Sequence, residues 1–351
     1  MSNWYVGREV VKRAVGVWGK GRDAVIDRVI EQASREIDAL TDRRFIPITA
    51  TRQYPWPQPF RVRSYELRLD EDLLSVDSLT DEGDDATAIS SGDYFLEPVN
   101  TGPPYFWIEI DLSTTADFLA KNTHQRAVRV TGSWGYGNAT VTAGTLRDSG
   151  GINTTVTTLV CSDGSLIDVG DTLLIGSEQL FVTERTSAAE ENNDLLDGAL
   201  TATRSEVSVT VDDGTRYNVG EVILVDSEKM YIETINGNVL TVERAYDASV
   251  SAAHSNNAAV SVFRTLTVTR GANGTTAATH SQADAITKYT PPPDITGLAL
   301  ALSLGYYSMG QGGWTGIVGS GPETIETRQA GLDKLRERVR REYRRHVVVG
   351  V

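Results

Sequence analysis

The sequence predicts an α+β protein: a helical body with a small antiparallel sheet, interrupted by an inserted all-β repeat domain. Three observations carry this. Residues 24–45, AVIDRVIEQASREIDALTDRRF, place Val25, Ile26, Val29, Ile30, Ala33, Ile37 and Leu40 on one helical stripe. After Phe45 the apolar period changes from 3.6 to 2. Between 138 and 290 a β-rich stretch repeats itself without gaps.

Each element follows in chain order. Val6, Val10, Val11, Ala14 and Trp18 make a first helix over 5–18, which the GKG at 19–21 ends. The main helix takes Asp23 as its cap, gains an i,i+4 pair from Glu31 and Arg35, and cannot pass Pro47. Prolines 55, 57 and 59 then predict an extended arm leading into strands over 60–137, with turns at DEGDDA and NTGPP. Helix returns at 294–309, opened by three prolines, with Ile295, Leu298, Ala299, Leu302 and Tyr306 on one face. That face is the natural cover for Val29, Ile37 and Leu40, although more than 250 residues separate the two. A last helix over 323–345 ends in KLRERVRREYRR, and HVVVGV follows with β character.

The domain boundaries are thus 1–137, 138–290 and 291–351. In the inserted module, 163–184 aligns to 213–234 at an offset of 50, and 240–260 aligns to 266–286 at an offset of 26. Two readings fit this order. One unit is nested in its duplicate, with 163–184 completed by 266–289, or two units run in sequence and the first is truncated around 200–204. Nesting is preferred, and proximity of 180–183 to 266–269 decides between them.

A chain of 351 residues with 40% apolar and 23% charged content has the composition of a globular protein. Its 47 acidic and 33 basic residues leave a net charge of −14, which argues against a high-affinity nucleic-acid binder. The module holds 20 acidic against 9 basic residues, so most of the acidity is its own. A single cysteine, Cys161, excludes an internal disulfide and reads as a small buried hydrophobe. Neither a secretion signal nor a membrane segment is expected.

Chemistry finds little support. The glycine-rich run 310–321 follows a helix and lacks GK[ST], so it reads as a loop. His254 and His280 recur at equivalent AxHS positions, which favours hydrogen-bonded turn histidines over metal ligands. Acidic clusters at 70–72, 81–85 and 212–213 read as solvated turns. No metal, cofactor or catalytic group is expected. Trp56 and Trp314 are candidate interface anchors. The basic helix end, Lys334, Arg338, Arg341, Tyr343, Arg344 and Arg345, with Val347, Val348 and Val349 behind it, reads as a docking arm able to add a strand to another chain.

The order ASREIDALTDRRFIP, TRQY, LRLDEDLLSVDSLT, DYFLEPVN, PPYFWIEI, VTGSWGYG and PPDI resembles the head-to-tail adaptor, or connector, proteins of tailed bacteriophages and related prophages. The likeness covers about 1–137 and 291–345; in the family the WGY strand passes almost directly to the next helix, whereas here the β module intervenes. The resemblance implies a structural virion protein, assembled in the host cytoplasm. It would form a ring, commonly a dodecamer, beneath the portal protein, extend the DNA channel and support a tail or stopper protein. It also implies that the C-terminal segment docks on the portal and that double-stranded DNA passes without specific binding. An alternative function is a carbohydrate- or host-surface-binding virion protein working through the β repeats, although those are poor in aromatic residues.

Overall fold

Helix α2 (Asp23–Thr41) spends its apolar stripe on two neighbours. The computed structural model describes residues 3–57, 63–81, 88–118, 124–188, 194–311 and 322–345. Towards its C-terminal end, Ala33, Ile37 and Leu40 join Ile295, Leu298, Ala299 and Leu302 of α3 (Pro293–Gln311) in one apolar cluster. Towards its start, Ile26 and Ile30 meet Val11 of α1 (Arg8–Val15) together with Leu300, Leu304 and Tyr307. Val29 is buried but stands outside both clusters. Both helix ends are closed by left-handed residues, Gly16 after α1 and Asp42 after α2, which satisfy the last carbonyls. Helix α4 (Pro322–Tyr343) adds Leu332, Leu335, Val339 and Tyr343 to the α2–α3 cluster.

The small sheet holds β1 (Ile48–Tyr54), β2 (Glu66–Thr80), β3 (Ala88–Ile89), β4 (Tyr94–Glu97), β5 (Tyr105–Ile110) and β6 (Val128–Trp134). Its order is β1-β6-β2-β5-β4, all antiparallel, with β3 beside β2. Two expectations change here. TRQY, read with the extended arm, instead ends a strand paired from Ile48 with Trp134 to Tyr54 with Val128, and Pro55 and Pro57 follow it outside any strand. Asp70 to Asp72, expected in a solvated turn, lie inside β2 at an irregularity between its pairing with β5 and with β6.

The module comprises β7 (Thr140–Thr145), β8 (Thr158–Val160), β9 (Thr172–Ile175), β10 (Glu178–Ala188), β11 (Asp194–Leu195), β12 (Ser208–Thr210), β13 (Val222–Val225), β14 (Glu228–Asn236), β15 (Val239–Glu243), β16 (Ala259–Thr269) and β17 (Ala285–Tyr289). Strand β16 serves two units. Its first half pairs with β11 and β13, and its second half with β8 and β10. Phe181 faces Thr269 and Val182 faces Val268, so the half-unit 163–184 is completed by 266–289 around a second unit nested inside it.

Each unit closes on itself. The first runs β7-β17-β9-β10-β16-β8 and returns to β7 through the Leu146–Cys161 bridge. The second runs β11-β16-β13-β14-β15-β12 and returns through the Leu196–Val211 bridge. Two six-stranded barrels result, with separate cores: Leu173, Leu180, Leu266 and Ile286 in the first, and Ile223, Met230, Leu240 and Val262 in the second. Cys161 lies fully inside the first core, and burial raises its thiol pKa to about 12, so it is inert.

Candidate functional site

The residues expected on the docking arm divide between surface and core. Lys334, Arg338 and Arg341 are exposed on α4 and Arg344 just beyond its end, with Arg338 held to Asp294. Tyr343 and Arg345 are corrections. Tyr343 packs edge-on against Phe45 at 5.7 Å and Tyr136 at 5.5 Å, completing an aromatic group at the foot of α2. Arg345 turns inward: its backbone N–H donates to the Thr41 carbonyl at 2.9 Å and its Nη2 to the Leu69 carbonyl at 2.8 Å. Its guanidinium also sits 3.3 Å from the Asp72 carboxylate. A buried guanidinium holds only where such acceptors surround it, and here they come from residues about 270 positions earlier. Val347, Val348, Val349 and Trp314 lie outside the described residues.

Asp72 is the reciprocal partner. Only 4% exposed, it stands between Arg345 and Arg43, the latter at 3.4 Å. Burial raises its pKa in spite of the two guanidiniums. Arg43 also lies over the Tyr136 ring at 4.9 Å, which ties the end of α2 to the sheet.

The most distinctive chemistry is a buried clasp that both barrels build in the same way. In the second barrel Glu228 receives Arg244 Nε at 2.9 Å and Nη2 at 2.7 Å, backbone N–H groups of Ala245 and Ala252, and His254 Nε2 at 2.9 Å. In the first, Glu178 receives Arg270 Nε at 2.7 Å and Nη2 at 2.8 Å, N–H groups of Gly271 and Ala278, and His280 Nε2 at 2.8 Å. The arginines also donate outward to loop carbonyls, Thr201 and Ala252 for Arg244, Asn153 and Ala278 for Arg270. Each clasp therefore pins two loops to one hairpin.

Burial alone would raise these carboxyls, but the arginine, the two N–H groups and the histidine outweigh it and hold Glu178 and Glu228 at about 2. The histidines are thus structural. The signal for the rest of the clasp was present in the repeat, since Glu178 and Glu228 align and each arginine precedes its histidine by ten positions.

Equivalent faces of the two barrels grip the same helix. From the first barrel, Asp168 accepts the Glu9 N–H at 3.0 Å, the Val169 carbonyl accepts the Arg8 N–H at 3.0 Å, and Phe181 meets the edge of Trp4 at 5.6 Å. From the second, Asp247 accepts the Gly19 N–H at 2.7 Å and the buried Lys12 ammonium at 3.3 Å, and Tyr231 lies under Arg13 at 5.2 Å. Phe181 and Tyr231 are repeat equivalents, as are Asn273, which bonds Asn3, and Asp247. The module is therefore clamped to α1 at both ends. Asp247→Ala should cost about 1–3 kcal/mol, because Lys12 loses one of its buried acceptors. Hydrogen exchange checks this: α1 amides are expected to exchange faster while β12 and β15 stay protected.

Fold and site together define an α+β protein with helices α1 to α4, a six-stranded sheet and two nested barrels fastened to the first helix. No family model, curated protein or solved structure matches the chain. Among the described residues no group of three His, Cys, Asp or Glu could hold a metal ion, and no helix is long and apolar enough to cross a membrane.

Proposed function

We propose that the chain is a virion structural protein, a head-to-tail adaptor that assembles as a ring below a portal protein, extends the DNA channel and joins the head to a tail or stopper protein. The observation that carries this reading is the packing of α2 on α3 across the inserted barrels. The helices on either side of the insertion share one apolar cluster, which the barrels interrupt in sequence without splitting.

The portal contact falls to residues 346–351. Arg345, the last described residue, is anchored between α2 and β2. Deleting 346–351 is expected to leave the thermal midpoint unchanged and to abolish attachment of this protein to portal-bearing heads. Heads that still recruit the truncated protein and join tails would refute the docking role.

A further inference from the structure

We propose that the exposed cationic face of α4 binds a second copy of this chain, on the outer surface of the second barrel where Asp197 and Asp212 flank its closing bridge. The inference rests on the ring reading and names the surfaces that would make the ring.

Two groups of exposed charge without an ion pair among the described residues lie on different elements of the chain. Helix α4 turns Leu332, Leu335, Val339 and Tyr343 into the body. Lys334, Arg341 and Arg344 fall on the opposite arc, spread over roughly 15 Å of helix. All three are exposed and form no ion pair among the described residues, whereas Arg338 and Arg340 are occupied by Asp294 and Glu337.

The second barrel is the reverse case. Residues 194–262 carry 11 acidic and 4 basic side chains. Each of the four cations is already committed: Arg204 to Glu243, Arg216 to Asp213, Lys229 to Asp247 and Arg244 to Glu228. Asp197 and Asp212 remain exposed, without an ion pair among the described residues. They sit on either side of the Leu196–Val211 bridge, where the Asp197 and Asp212 N–H groups bond the Thr210 and Leu195 carbonyls and hold the two backbones rigidly.

Neither face can pair with its own copy, so each must meet the opposite face on a second chain. Where both contacts cannot form at once across a two-fold axis the copies join head to tail, and such contacts close into a ring when the rotation allows, whereas a two-fold dimer in the imaging would overturn the ring contact. Duplex DNA is the competing anionic ligand for α4, and the net charge of −14 disfavours it.

The test uses the full chain, followed by mass photometry and negative-stain imaging at low salt and at about 1 M salt, where the Debye length falls to about 3 Å. Rings that dissociate at high salt are expected. The triple variant K334E/R341E/R344E should associate at least about tenfold more weakly with an unchanged melting midpoint. Adding D197K/D212K to that variant should restore assembly. Rings that persist in the triple variant would overturn this contact and leave the ring reading standing. Loss of duplex DNA binding by the triple variant with assembly intact would assign the face to DNA instead. A wild-type chain that stays monomeric under every condition would remove the ring reading along with the contact.

Discussion

Glu228→Gln is expected to destabilise the second barrel by about 3–5 kcal/mol, because it removes the charge that Arg244 meets bidentately in a site with no exposure. Glutamine keeps the shape and can still accept some of the N–H bonds. The loss therefore comes from a buried guanidinium left without its carboxylate, with the 201–203 and 252–254 loops that Arg244 and His254 tether released as well. Urea denaturation followed by circular dichroism measures the loss. Exposed Glu233→Gln on the same strand is the control, expected within about 0.5 kcal/mol.

The same clasps set an acid limit. Glu178 and Glu228 titrate at about 2 in the fold, well below the ordinary value of 4.5 that the unfolded chain shows. A carboxylate whose folded pKa is depressed contributes stability that is fully present above the unfolded value and is lost as pH falls towards the folded one. The contribution of the clasps should thus be constant above about pH 5 and fall progressively between there and about pH 2. A melting midpoint that stays flat across that window in wild type would remove the clasp from the account of stability.

Leu298→Ala is the second large effect, about 2–5 kcal/mol, since the side chain is fully buried between α2 and α3 and leaves a cavity. Ile37→Ala, across the same contact, should cost a similar amount, and the double variant should fall short of the sum because the two side chains share one cluster. Both losses belong to the helical body. A barrel probe such as exchange of β13 and β15 amides should change little, which separates the body from the module energetically.

How far these elements could be read in the sequence depended on how local their causes are. The stripe of α2 is a local property, and its burial follows from period alone. The repeat was visible because offsets of 50 and 26 preserve residue identity, but nesting was open until β16 was seen to pair with both β10 and β13. Asp70 to Asp72 carry turn-forming residues, yet Tyr54, Arg52, Arg43 and Arg345 supply partners that hold them in a strand. Those partners come from other elements, one of them from the far end of the chain. Arg345 misled for the same reason: within KLRERVRREYRR nothing distinguishes it from its exposed neighbours, and only Leu69, Thr41 and Asp72 bury it. The clamp on α1 is likewise a product of two surfaces, although the aromatic pair Phe181 and Tyr231 at one repeat position was a usable sign.

The central claim, that this chain is the adaptor between head and tail, is tested most directly by cryo-electron microscopy of intact virions. The account predicts a closed ring of this chain immediately below the portal, with α2 and α3 packed as one body and the paired barrels held against α1. Density for this chain anywhere else in the particle, or none in the particle, would contradict it.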